Sequence, residues 1–173
     1  PPLYYIILKS WAYATGVNDY GMRSFSIFCN GLNIFAIYIF LKKYFREKFL
    51  PYILILLITV NPLFILYSTE ARMYALLTLF YFLAFYFFWQ AMQDSKKILP
   101  WLFFILFFTL SLYTHYIALI GIVPFFLYAL FIKNRIINIL KLYTSSVIVF
   151  LLYTPWLPIF LQQINTNPNG LAW

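Results

Sequence analysis

The chain has 173 residues, of which 65% are hydrophobic, 24% aromatic and only 9% charged, with a mean hydropathy of +0.86 and a net charge of +8. A soluble domain carries roughly 45–50% apolar and about 25% charged residues, so this composition cannot furnish a water-facing surface, and the aromatic content excludes disorder. The basic residues sit between apolar runs, which points to membrane topology and away from nucleic acid as a partner.

The chain therefore reads as an all-α membrane protein with about six transmembrane helices behind an N-terminal interfacial helix. Residues 1–14 supply that first helix. Leu3-Tyr4-Tyr5-Ile6-Ile7-Leu8 is too short to cross a bilayer, and Lys9, Asn18, Asp19 and Gly21 follow closely. The expected spans cover about 24–41, 49–67, 73–92, 98–114, 116–132 and 140–160. Ile98 to Ile132 would measure about 52 Å as one straight helix. That is two crossings, joined tightly at Thr114-His115-Tyr116. Pro51 and Pro100 fall in the first turns of their helices, where a missing N–H costs little. Pro62, behind Asn61, is expected to kink the second span and to free a carbonyl that needs a partner. Pro124 is expected to do the same in the fifth span, and Pro155 and Pro158 to loosen the end of the sixth. Residues 164–173, with Asn165-Thr166-Asn167-Pro168-Asn169-Gly170, read as the start of an outer loop or domain. Pro1-Pro2 opens the chain with no Met and no basic leader, so it reads as an internal piece of a longer protein. Cys29, the single cysteine, lies in an apolar stretch and gives no redox information.

Charge orients the scheme. Lys42, Lys43, Arg46 and Lys48 follow the first span; Lys96 and Lys97 follow the third; Lys133, Arg135 and Lys141 follow the fifth. The opposite loops and the N-terminal segment hold only Lys9, Arg23 and Arg72. The positive-inside bias places the first group in the cytoplasm. Both ends of the chain, the 68–72 turn and the His115 turn then face outside. Trp89, Trp101 and Trp156 fall near span ends, as interfacial aromatics do.

The informative polar residues gather on the outer side. Tyr67-Ser68-Thr69-Glu70-Ala71-Arg72-Met73-Tyr74 occupies the turn between spans two and three. At 100° per residue Tyr67, Glu70 and Tyr74 share one helical face. Arg72 points about 200° from Glu70, so the two do not pair along a continuous helix. Position alone leaves two readings open: solvated interfacial residues, or members of a site. His115 sits among Tyr113, Thr114 and Tyr116, a setting that suits a simple turn and also suits a phosphate or a sugar. A His/Cys metal site is unsupported. No P-loop, GxGxxG or GxSxG is present.

Four features together carry a resemblance: Pro1-Pro2-Leu3-Tyr4-Tyr5, Arg23-Ser24, Tyr67-Ser68-Thr69-Glu70-Ala71-Arg72-Met73-Tyr74-Ala75-Leu76, and Tyr113-Thr114-His115-Tyr116. The sequence resembles the GT-C superfamily of membrane glycosyltransferases, in the dolichyl-phosphate-mannose protein mannosyltransferase-like group that includes the lipid A aminoarabinose transferases. The resemblance runs from Pro1 to about Gln163. It implies a GT-C-like fold and transfer of a sugar from a polyprenyl-phosphate donor to a hydroxyl on a protein, lipid or glycan, with inversion. An acidic residue would deprotonate the acceptor, and cations would steady the lipid phosphate. The family's principal acidic residue lies upstream of the Pro-Pro motif, so this chain by itself is expected to be inactive. Glu70 matches an auxiliary acidic position that would place the acceptor or a divalent metal, or orient Tyr67 and Tyr74. Arg72 and His115 are the candidates for the lipid-phosphate site, with Arg23 gripping the same loop, and Tyr67, Tyr74 and Tyr116 count with them as substrate-binding residues. Metal dependence is left open, because one Glu is not a site. A transporter, a flippase or a non-catalytic subunit for lipid-linked sugars is the alternative, although no ionisable residue falls mid-span and no repeat is visible. The compact loops favour a prokaryotic cytoplasmic membrane.

Overall fold

A computed structural model of the chain describes residues 1–94, 97–131 and 135–166. Lys96, Lys133 and the tail from residue 167 onward lie outside the described residues, and with them part of the loop-charge and outer-loop expectations.

Among the described residues every regular element is helical. Helix α1 (Leu3–Thr15) ends at Gly16, whose N–H still returns to the Ala12 carbonyl at 2.9 Å and whose φ of 96° turns the following chain out of the helix. Helix α2 (Asp19–Tyr44) starts under a side-chain cap from Asn18, which accepts from the Gly21 N–H at 2.8 Å. Trp11 donates its indole N–H to Ser24 Oγ and ties α1 to α2.

The second expected span is broken, as Pro62 predicts. It forms α3 (Leu50–Thr59) and α4 (Pro62–Thr69), which meet at 59°. Pro62 has no N–H to return to the Ile58 carbonyl, and the Asn61 N–H takes that carbonyl instead at 3.2 Å. Asn61 then caps α4 through its own side chain, accepting from Leu63 and Phe64. Pro51 sits in the first turn of α3, as expected.

Helix α5 (Tyr74–Gln93) and helix α6 (Leu99–Thr114) form the central pair. Their seam is aromatic: Phe88, Phe104 and Phe108 are buried to 1% exposure or less. Phe125 and Ala129 of α7 (Ile122–Phe131), and Leu142 and Val149 of α8 (Arg135–Tyr153), complete this core. Ala84, Ala91 and Ala129 have no exposed surface, so backbones approach closely there. Phe40 of α2 packs against Phe82, Phe85 and Trp89 of α5.

Three differences from the sequence reading have physical causes. First, the connection at Thr114-His115-Tyr116 is longer than a tight turn. A 3-10 segment runs from Tyr116 to Leu119, and α7 begins only at Ile122. Pro124 therefore falls in the first turn of α7, and the disruption lies one turn before it, where its ring and missing N–H act. Second, α8 gives way to a 3-10 turn at Thr154–Trp156 and then to α9 (Leu157–Thr166), as Pro155 and Pro158 predict. The helix continues to Thr166, inside the stretch expected to open a loop. Third, Trp101 is not at the periphery. It is 6% exposed and meets Phe88 and Phe104 edge-on.

Asp19–Tyr44, Tyr74–Gln93 and Ile136–Gln163 are each long and apolar enough to cross a membrane, and the bent α3–α4 pair counts as a fourth. Leu99–Thr114 and Tyr116–Phe131 are apolar but shorter. The interruptions at 70–73, 115–121 and 154–156 meet at one end of the bundle, through Tyr74 on His115, Tyr113 on Leu152 and Tyr116 on Trp156. The basic segment after α2 lies at the other end, where Lys43 reaches Tyr86 near the end of α5.

Gly121 is where α5 and the 115–121 connection touch. A Cβ there would lie 2.4 Å from the Tyr81 ring, and the Tyr81 hydroxyl donates to the Gly121 carbonyl at 2.8 Å. Gly121→Ala must displace that ring, at a cost of about 1–3 kcal/mol. A thermal unfolding midpoint in detergent several degrees below the parent is the expected result.

Candidate functional site

The site end is built where two helices stop. Helix α4 ends at Thr69 and α5 begins at Tyr74, so residues 70–73 are not helical. Glu70 caps α4 with extended backbone (φ −88°, ψ 134°). The break turns Arg72 back onto Glu70, with Nε 3.5 Å from Oε2. This corrects the expectation that the two point apart, which assumed an unbroken helix. The Arg72 side chain is 56% exposed and that of Glu70 33%, so the pair is solvent-accessible and contributes little to stability. Its accessibility makes it open to ligands.

Arg23 of α2 donates from Nη1 to the Thr69 carbonyl at 3.4 Å. The contact is to backbone at the end of α4.

The four rings of the sequence reading form one row. Tyr67 and Tyr74 lie 4.8 Å apart between centroids, although the helix between them is broken. Tyr74 stacks on His115 at 6.0 Å and 28°. His115 meets Tyr116 at 6.4 Å. The row thus joins the Glu70 turn to the His115 turn.

His115 has two structural tasks. It ends α6, and its Nδ1 accepts from the Ile117 N–H at 3.1 Å, capping the 3-10 segment. An accepting Nδ1 places the ring proton on Nε2. Burial holds the imidazole pKa below its usual 6.5. At neutral pH the ring is therefore an uncharged donor through Nε2. A small cavity of about 20 Å³ lies against it, lined by Pro1, Tyr4, Tyr5, Met73, Thr114 and Tyr116. That is the room one water takes.

Tyr116 faces two ways. Its hydroxyl donates to Gln163 Oε1 and accepts from the Trp156 indole N–H at 3.3 Å. Its ring forms part of the wall of an apolar cavity of about 120 Å³ between α6, α8 and α9, with Phe108, Val149, Tyr153 and Phe160. A third, more open cavity of about 240 Å³ lies between Tyr81 and Ile117.

The sequence reading missed Trp156 and Gln163 as partners of Tyr116, because nothing in spacing links residues 40 and 47 apart. It also missed Ser26, Asn30 and Asn33, all buried on α2. Their spacing of four and three was visible, and three polar residues at helical period inside an apolar span signal a buried polar face. Among the described residues no three His, Cys, Asp or Glu side chains come together in a way that could hold a metal ion.

The arrangement offers a carboxylate, an adjacent guanidinium, a neutral imidazole donor and a row of rings at one end of an apolar bundle. Such a set can bind an anion and a hydroxyl-bearing molecule side by side.

A family model described as dolichyl-phosphate-mannose-protein mannosyltransferase matches residues 1–159. No curated protein and no solved structure matches the chain.

The pH behaviour of His115 follows from its surroundings. A histidine whose folded pKa is depressed adds stability that is present above about 6.5 and is lost as pH falls through the folded value. Because the chain has a single histidine, one imidazole ¹⁵N signal should titrate with a midpoint below 6.5 in the folded protein. Nε2 should carry the proton above that midpoint.

Proposed function

The chain belongs to the dolichyl-phosphate-mannose-protein mannosyltransferase family, of the GT-C type, and from that premise we propose that it forms part of a glycosyltransferase site facing the outer side of a membrane. The donor is a sugar on a polyprenyl phosphate, and the acceptor is a hydroxyl on a protein, lipid or glycan. The observation that carries this reading is the meeting of Glu70, Arg72 and the Tyr67–Tyr74–His115–Tyr116 row at one end of an apolar bundle.

In this reading the chain crosses the membrane six times, with the Lys42–Lys48 side in the cytoplasm. Arg72 and the Nε2–H of His115 receive the lipid phosphate, and Arg23 steadies the turn that carries Glu70 and Arg72. A charged donor beside a neutral one suits a phosphate that gains negative charge as the sugar leaves. The tie between Arg72 and Glu70 runs through a single nitrogen in a half-exposed pair. A phosphate that recruits the guanidinium therefore releases the Glu70 carboxylate toward the acceptor hydroxyl. Tyr67 and Tyr74 offer the flat faces on which a sugar ring packs. The apolar cavity beside Tyr116 suits the first isoprenyl units of the donor. Sugar displacement with inversion needs only a positioned hydroxyl, a base and a stabilised leaving phosphate.

Interrupted helices are also the way transporters build sites, and the breaks in this chain fit that alternative. Family membership favours transfer.

Two results are expected of the full-length enzyme. Glu70→Gln lowers kcat for transfer from a polyprenyl-phosphate sugar by about 100-fold, the lower end of acid–base effects. Arg72→Ala and His115→Ala each raise the donor KM about tenfold, one charge-assisted hydrogen bond's worth. Unchanged kinetics in Glu70→Gln would remove that residue from the reaction. Translocation of the lipid-linked sugar without transfer would replace the enzyme by a flippase.

A further inference from the structure

Arg23, Ser26, Asn30 and Asn33 lie on one face of α2, at offsets of three, four and three residues. Each donates a hydrogen bond to a group within residues 68–75, which hold the end of α4, the break and the start of α5. Arg23 Nη1 reaches the Thr69 carbonyl at 3.4 Å, and Ser26 Oγ the Glu70 carbonyl at 2.6 Å. Asn30 Nδ2 reaches Ser68 Oγ at 2.9 Å, and Ser68 in turn donates to the Phe64 carbonyl. Asn33 Nδ2 reaches the Ala75 carbonyl at 3.0 Å and the Asn30 Oδ1 at 3.2 Å. Ser26 and Asn33 have no exposed surface, and Asn30 is 5% exposed.

Polar side chains are costly in an apolar bundle unless they are paired. Here the four partners fall within eight residues of chain, on both sides of the Glu70–Arg72 turn. Thr69 and Glu70 would lack carbonyl partners where α4 stops, and α2 supplies donors to both. The same face grips Ala75, one residue past Tyr74, and so fixes the first turn of α5 that presents Tyr74 to Tyr67 and His115.

We infer that Ser26, Asn30 and Asn33 are positioning residues for the transferase site: a ladder of donors on α2 that sets where Glu70, Arg72 and Tyr74 stand. The residues touch no substrate. They act by fixing the non-helical backbone from which the reacting side chains project. The catalytic consequence rests on the transferase reading above; the positioning itself does not.

The test uses the full-length protein in detergent or nanodiscs with a polyprenyl-phosphate sugar. Ser26→Ala removes one hydroxyl and little volume, Ser26→Thr restores a hydroxyl, and Thr109→Val removes a different buried hydroxyl, one from α6, that makes no hydrogen bond among the described residues. In Ser26→Ala, amide hydrogen exchange in peptides covering 68–75 should rise about tenfold, the scale of one net hydrogen bond. kcat should fall by a similar factor with the donor KM little changed. Ser26→Thr should recover both, and Thr109→Val should move neither. A merely structural role would lower the unfolding temperature and leave kcat alone. Exchange that stays at the parental rate in Ser26→Ala overturns the positioning. Faster exchange with unchanged kcat overturns its bearing on transfer. If the parent transfers no sugar from any polyprenyl phosphate, the transferase reading falls, and the exchange result alone decides the ladder.

Discussion

A helix interrupted in apolar surroundings leaves backbone groups without helical partners, and the structure depends on how those groups are satisfied. At 60–61 the chain solves this locally, with the Asn61 N–H on Ile58 and the Asn61 side chain on the next turn. At 70–73 the donors come from α2. At 115–121 His115 accepts the Ile117 N–H, and Tyr81 donates to Gly121 from α5. Where α8 ends, Tyr113 of α6 donates to the Leu152 carbonyl at 3.0 Å. The last three breaks share one end of the bundle, and each is secured in part by a side chain from a neighbouring helix. The polar chemistry of the protein collects there because backbone irregularity and polar side chains must accompany each other in such surroundings.

Much of the architecture was legible because proline and charge act locally. Pro62 marks the break between α3 and α4, and Pro155 with Pro158 marks the break before α9. Pro51 and Pro100 mark helix starts. Pro124 shows the limit of this reading. A proline disturbs the turn before it, and so α7 begins late while the proline itself sits in a regular first turn. Trp101 shows another limit. Near a span end a Trp reads as an interfacial anchor, yet the packing of Phe88 and Phe104 claims it for the core. Sequence position gives depth along a helix, and burial is decided by which face the neighbour covers.

The candidate site was legible residue by residue and illegible as an arrangement. Glu70, Arg72, Arg23 and His115 are among the few charged or imidazole groups of an apolar chain, and the site tyrosines, members of a set of 16, stand out only by flanking them. Their connections depend on contacts 41 to 46 residues apart in sequence, such as Tyr74 on His115 and Arg23 on Thr69. The α2 ladder was overlooked for a different reason. Asn30 and Asn33 sit within a stretch whose mean hydropathy is high enough to cross a membrane, and averaging over such a window hides single polar positions. Periodicity of the polar residues, read alone, would have shown them on one face.

The Glu70–Arg72 pair shows how these levels connect. On a continuous helix, residues two apart project about 200° from one another and do not face each other. A carboxylate and a guanidinium at that spacing would then each have to find water or another partner near the apolar bundle. Only a break between them brings the two groups to 3.5 Å. The break in turn exposes carbonyls at Thr69 and Glu70, and those are the two that Arg23 and Ser26 hold. The pairing of two exposed charges is therefore conditional on a buried hydroxyl and a backbone contact one helix away. Weak as the ion pair is in energy, its geometry is set by the donors that Arg23 and Ser26 supply to the Thr69 and Glu70 carbonyls.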